Sequence, residues 1–315
     1  MPNGWVIAIG NFDGVHVGHQ AILRRACAEA RRRGVRAMAM TFEPHPVSVL
    51  RPGEAPPRIT GADEKLALLR EVGVDHVEVL EPRRDLLGLS AGAFVEWLVE
   101  KHGMEAIVEG ADFRFGAGRS GDVGTLRELG AKMGFETVVV EPVTVVTDNL
   151  MQTPVGSSLV RRLVLAGRVR DAAILLGRTF SLAATVVEGE KRGRQLGFAT
   201  VNLDAETLHG RLIPGHGVYA GSALLANGWT LPAAISVGAK PTFGRHTTVV
   251  EGHLVGYEGD LYGQRVELRF ERWLRDQSRF PNVELLRRQL ERDVAETRRL
   301  AGLGVIARQP TEVTA

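Results

Sequence analysis

Two imidazoles, His16 and His19, stand three residues apart in the stretch GNFDGVHVGHQAIL, where the apolar run WVIAI gives way to the helical pattern QAILRRACAEARRRG. If the run is a strand and the pattern a helix, both histidines flank the positive end of that helix. Backbone N–H groups are unpaired there and the dipole favours an anion, so the place suits phosphate before any side chain is counted. Gly10, Gly14 and Gly18 let a ligand approach the main chain closely. The imidazoles can then donate hydrogen bonds to phosphate oxygens and offset the charge that builds when a phosphorus–oxygen bond breaks. Zinc would want an HExxH helix or nearby cysteines, and HVGH offers neither.

A second set lies in EGEKRGRQLGFATVNL, residues 188–203. Gly193 and Gly197, followed by Thr200 and Asn202, suit a loop that covers phosphates and then presents oxygen ligands to Mg²⁺, a hard cation. A turn leading into a strand has the same composition. Two familiar phosphate motifs are absent or misplaced. No lysine follows a glycine, so no P-loop occurs. Gly116, Gly118 and Gly121 spell GxGxxG, but they come late in their domain, after ADFRF, and read as a loop.

The elements that must position these residues fall into two halves. At 315 residues, and roughly 150 residues per domain, two domains are expected. From residue 1 to 180 the apolar runs WVIAI, RAMAMTF, HVEVL, EAIVEG and ETVVVEPV alternate with amphipathic stretches at 19–33, 63–72, 91–102, 122–133 and 157–176. That alternation predicts βα units in a doubly wound parallel sheet. After LLGRTFSL, short runs separated by Gly, Pro and Asn predict a closed β-barrel. The stretch NVELLRRQLERDVAETRRLAGLG closes it as one helix capped by Asn282. The reading assigns 1–180 to the α/β domain, 181–305 to the barrel domain, and 306–315 to a frayed tail.

Composition limits the function classes. Lys and Arg number 39 against 37 Asp and Glu, a net +2, so no global charge points to nucleic acid or an anionic membrane. One cysteine, Cys27, excludes an internal disulfide and any multi-cysteine zinc site. The N-terminus lacks a basic leader, and no uncharged apolar run approaches the roughly 18 residues of a membrane span. A cytoplasmic location is expected, with no nucleic-acid or membrane partner. A homo-oligomer is left open.

The first motif resembles the HxGH nucleotidyltransferase signature, and in its extended form it is similar to the bacterial bifunctional riboflavin kinase/FMN adenylyltransferases, the prokaryotic FAD synthetases. TFEPHP, RIT with EKLALLREVGVD, GADFRFGAGRSGD and GSSLVRRLVLAG follow in that family's order, then the 188–203 segment, GVYAG, SVGAKPTFG, VEGHL and EGDLYG. The resemblance covers about residues 5–302. It implies a Rossmann-like adenylyltransferase domain and a riboflavin kinase barrel, with ATP, riboflavin and FMN as small-molecule partners, FMN and FAD as product ligands, and Mg²⁺ beside ATP.

By position, the phosphate-holding roles fall to His16, His19, Ser157, Ser158 and Arg161, with Gly10, Phe12, Asp13, Gly14 and Gly18 in the same motif. Asp112 and Phe113 would line the flavin and nucleotide. Thr200 would serve the metal, and Glu251 would be the glutamate that activates the riboflavin hydroxyl. Two positions depart from the pattern: Leu159 stands where a basic residue is common, and Ala199 replaces a proline. Glu109 is given no role. Competing expectations are an enzyme with only one working domain, another nucleotidyltransferase, an oligonucleotide-binding barrel, and a flavin-binding regulator without turnover.

Overall fold

A computed structural model describes residues 4–189, 198–242 and 245–304. Gly193 and Gly197 lie outside the described residues, as does the expected tail. Contacts divide the chain into two units, one holding residues up to 146 with 150–157, the other 147–149 with the residues from 158 on.

In the first unit, the apolar runs form β1 (Trp5–Gly10), β2 (Arg36–Phe42), β3 (His76–Leu80), β4 (Met104–Gly110) and β5 (Glu136–Val140). They make one parallel sheet of order β3-β2-β1-β4-β5, as the alternation of strand and helix patterns predicts. The order reverses between β1 and β4, and ligands of open α/β sheets bind at such a switch point, beyond the carboxyl ends of the strands.

Both faces of the sheet are covered, which is why its strands read as continuous apolar runs. On one face α1 (Val17–Arg33) sets Leu23, Ala26, Cys27 and Ala30 against Val6, Ala8, Ala37 and Ala39. On the other, α5 (Ala91–His102) and α6 (Val123–Met133) bring Phe94, Leu98 and Leu126 onto Ile7, Ile9, Met38 and Ile107. The shorter helices α2 (Pro46–Leu50), α3 (Ala62–Glu71) and α4 (Arg84–Leu87) complete the connections. Gly34, at φ 71°, stops α1 by turning its N–H back to Ala30 and Arg31. The GxGxxG segment is indeed a loop between β4 and α6, closed by a bridge from Phe115 to Gly121. A small hairpin, β6 (Thr144–Val146) with β7 (Gln152–Pro154), follows the sheet.

Helix α7 (Ser157–Leu165), from its second residue on, and α8 (Val169–Leu176) belong to the second unit. The sequence pattern over 157–176 predicts one helix; the structure has two, because Gly167 adopts φ 73° between them. Strands β8 (Phe180–Val187), β9 (Val201–Leu203), β10 (Gly217–Leu225), β11 (Thr230–Thr242), β12 (Arg245–Leu254) and β13 (Arg265–Arg275) close a barrel of order β10-β11-β12-β9-β8-β13. Its interior is filled by side chains: Phe180, Tyr219 and Phe270 are buried and meet ring to ring, at 6.0 Å for Phe180 with Phe270 and 5.4 Å for Tyr219 with Phe270.

The last helix, α9 (Val283–Gly302), starts as expected at Asn282, whose side chain accepts the Leu285 N–H at 2.9 Å. It lays Leu300 and Ala301 on Ala220 of β10 and anchors its buried Asp293 to Arg275 at 2.7 Å.

Candidate functional site

In the first unit, β1 delivers the chain into a loop that reverses sharply before α1. Three residues of that loop have positive φ: Phe12 at 46°, Gly14 at 85° and Val15 at 38°. A β-branched residue in that region is strained and must be held by its surroundings. The restraint comes from Asp13, 7% exposed, whose carboxylate accepts the Ile59 N–H at 3.0 Å and the Thr60 N–H at 3.2 Å. Thr60 Oγ1 accepts the Gly14 N–H at 3.2 Å, and Ser157 Oγ donates to the Asp13 carbonyl at 2.8 Å.

The loop ends at His16, 5% exposed, which is the N-cap of α1: its Nδ1 accepts the His19 N–H at 3.2 Å. The two imidazoles stack with centroids 3.5 Å apart and planes 19° from parallel, and the Phe12 ring meets His19 edge-on at 5.3 Å. Burial, and next the neighbouring His16, hold the His19 pKa well below the ordinary imidazole value. At neutral pH in the free protein His19 is therefore a neutral ring. Its buried Nδ1 has no hydrogen-bond partner among the described residues.

Beside this loop, β1 and β4 pair only from Trp5 to Ile7, with Met104 to Ile107 opposite. Beyond that the strands part, and the Glu109 side chain takes over, its Oε1 accepting the Ile9 N–H at 2.7 Å. Glu109 is 3% exposed, and burial pushes its carboxyl pKa well above the usual range despite that hydrogen bond. Asp112 is exposed at the turn after β4, while Phe113 is half-buried and stacks on Phe115 at 5.5 Å. Of the serine motif, Ser157 belongs to this unit; Ser158, exposed, and Arg161, half-buried, lie on α7 in the second.

In the second unit, Glu251 on β12 is the direct cross-strand partner of Asn202 on β9 and, on its other side, of Ser236 on β11. Val250, Gly252 and Leu254 are buried while Glu251 and His253 are half-buried, so by the strand period these two point away from the barrel interior. Asn202 is 7% exposed, and its Oδ1 has no hydrogen-bond partner among the described residues.

Sequence reasoning missed His253 and Ser236. His253 Nδ1 lies 2.8 Å from the Ala199 carbonyl, and its ring meets Phe198 edge-on, which steadies the segment carrying Thr200. The only signal for it was its place two residues after Glu251. Ser236 Oγ accepts from Gln277 Nε2 at 2.9 Å.

Two constellations able to handle phosphate thus occupy two separately folded units. The FAD synthetase family matches residues 1–154, and the riboflavin kinase family matches residues 176–301. A curated bifunctional riboflavin kinase/FMN adenylyltransferase from Escherichia coli K12 is 35% identical, over 95% of this chain and 94% of its own. The chain belongs to the bifunctional riboflavin kinase/FMN adenylyltransferase family.

Relatives of the same description are 38% identical in Pseudomonas fluorescens, over 95% of this chain and 93% of the relative, and 33% identical in Listeria monocytogenes, over 93% and 91%. As a member of the riboflavin kinase/FMN adenylyltransferase family, the protein is an enzyme, a transferase of phosphorus-containing groups that serves FAD biosynthesis. A Streptococcus pneumoniae crystal structure described as a macrolide-efflux protein shares the fold, with a TM-score of 0.84 at 28% identity over 95% of each chain. No helix among the described residues of this chain is long and apolar enough to cross a membrane.

Proposed function

We propose that the barrel unit transfers the γ-phosphate of ATP to the ribityl hydroxyl of riboflavin, giving FMN, and that the first unit then joins FMN to AMP, giving FAD and pyrophosphate. The observation that carries the reading is the position of the stacked His16 and His19. They sit at the N-terminus of α1, beside the switch point of the sheet, where an anionic ligand is favoured by unpaired N–H groups and by topology together.

In that site a phosphate oxygen of FMN attacks the α-phosphorus of ATP, the α–β bridging bond breaks, and pyrophosphate leaves. The nucleophile is a phosphate whose second pKa is about 6, so no protein base is needed. The imidazoles hold the triphosphate and donate hydrogen bonds as charge moves onto the leaving group. Gly10, Phe12, Asp13, Gly14 and Gly18 shape the cradle, Ser157 serves its phosphates, and Asp112 and Phe113 line the ligand. Asp13 acts through the backbone, by fixing the strained loop to Ile59 and Thr60.

In the barrel site the Glu251 carboxylate orients the primary hydroxyl and accepts its proton as the oxygen attacks the γ-phosphorus, the β–γ bridging bond breaks, and ADP leaves. Mg²⁺ is assigned to Thr200 and Asn202, and the donor set fits it: a buried amide oxygen without a partner among the described residues is a hard ligand in want of a cation. When bound, the ion supplies neutralisation of phosphate charge. Both activities are placed in the cytoplasm, where ATP is available.

One incubation tests the reading. With riboflavin, ATP and Mg²⁺, chromatography should show FMN rising first and FAD following, and FMN with ATP should give FAD directly. Absence of either product would reduce the protein to one working unit, and absence of ATP consumption would make it a flavin-binding regulator.

A further inference from the structure

The buried Glu109 is unused by either reaction as described. It stands at the carboxyl end of β4, on the side of the switch point where β1 runs into the phosphate-binding loop. Parallel strands ordinarily satisfy an N–H such as that of Ile9 with a backbone carbonyl. Here the backbone ladder has ended at Ile7 and Ile107, and the carboxyl group of Glu109 takes the carbonyl's place at 2.7 Å. Ile9 is followed directly by Gly10 and the strained turn, so on the β4 side this hydrogen bond is the last hold on β1 before the loop, while on the other side pairing with β2 runs on to Gly10 and Thr41.

We propose that Glu109 is a positioning residue of the adenylyl-transfer site, whose carboxyl group holds the Ile9 N–H where β1 and β4 part and so sets the course of the chain into the phosphate-binding loop. Burial, working against that hydrogen bond, favours the uncharged form of the acid. Among the described residues no cation acts on it: β1 brings the Ile9 N–H, β5 places Val139 opposite, α5 and α6 present Phe94, Leu98 and Leu126 to that face, and the charged neighbour that acts on it is the Asp112 carboxylate. In its uncharged form Glu109 adds no further negative charge beneath a cradle built for a polyanion. When the pH rises far enough to ionise it, a carboxylate forms beneath the loop, and ATP is held less well.

The inference rests on the assignment of adenylyl transfer to this unit, which His16→Ala tests separately. The experiment follows FAD formation from FMN with wild type, Glu109→Gln and Glu109→Val between about pH 6.5 and about pH 9.5, with riboflavin phosphorylation as the control in each preparation. Glutamine keeps an acceptor for Ile9 and cannot ionise. It should match wild type within about threefold at neutral pH and flatten the alkaline rise in the KM for ATP. Valine removes the acceptor and should lower kcat/KM for adenylylation about tenfold at every pH while phosphorylation is retained.

Superimposable pH profiles of wild type and Glu109→Gln would overturn the proposal, and so would wild-type adenylylation by Glu109→Val. If the valine variant fails to fold, the glutamine profile alone decides. Loss of the cradle assignment would appear differently, as FAD formation surviving His16→Ala.

Discussion

His16 spends its Nδ1 on the His19 N–H and lays its ring on the His19 ring, so the first imidazole is at once the cap of α1 and one wall of the proposed phosphate cradle. Because Nδ1 accepts, the proton of the neutral ring sits on Nε2, the nitrogen then able to donate to a phosphate oxygen.

The two duties of His16 separate by substitution. His16→Ala should lower FAD formation by about 10²–10³-fold, the cost of one preorganised donor, and should destabilise the first unit by about 1 kcal/mol through the lost cap. His16→Asn should restore most of the stability, since asparagine caps well, without restoring activity. Thermal unfolding beside product chromatography checks both, and a fully active asparagine variant would refute the donor role.

Gly18 gives a sharper test of ring placement. A Cβ built there would lie 3.2 Å from His16 Nδ1 and 3.3 Å from Cε1, so alanine must push the imidazole aside. In a helix, alanine is favoured over glycine by about 1 kcal/mol. Gly18→Ala should therefore keep or raise the melting temperature while cutting FAD formation roughly tenfold. Unchanged FAD kinetics would show that ring position is not critical.

The barrel site predicts the opposite selectivity. Glu251→Gln removes the proposed proton acceptor beside Asn202 and should slow FMN formation by about 10²–10⁴-fold, with FAD formation from supplied FMN unaffected. Equal loss of both reactions would deny the division of labour between the units.

A proton should accompany nucleotide binding at the histidine pair. Burial and His16 hold the free His19 neutral; a bound phosphate favours the imidazolium and raises its pKa. Binding therefore strengthens as pH falls through the raised value, and levels off once His19 is protonated in the free protein too. The KM for ATP in FMN adenylylation should fall on the acid side of neutrality, by at most about tenfold per pH unit, and His19→Gln should abolish that slope. This limb is distinct from the alkaline one assigned to Glu109.

Much of this was legible in the chain before any coordinates. The apolar runs and their helical intervals specify the parallel sheet, because strands buried on both faces must be apolar throughout. The passage from WVIAI into the α1 pattern is local, so the location of His16 and His19 at a helix start followed directly. What stayed hidden depends on closure over distance. Glu109 reaches Ile9 across 100 residues, and Asp13 reaches Ile59 across 46; neither pairing leaves a periodic trace. Asn202 and Glu251 become neighbours only through the barrel register. The break at Gly167 was masked by an apolar pattern that runs through it, and the β6–β7 hairpin by strands of only three residues.

The aromatic filling of the barrel has one more implication. Phe180, Tyr219 and Phe270, buried and in ring contact, leave the interior of the described barrel to side chains. If the tricyclic substrate is taken up outside that interior, its recognition falls to loops and side chains that can vary without disturbing the fold. Discrimination among flavin analogues should accordingly be alterable by exchanging surface segments, with the melting behaviour of the barrel left intact.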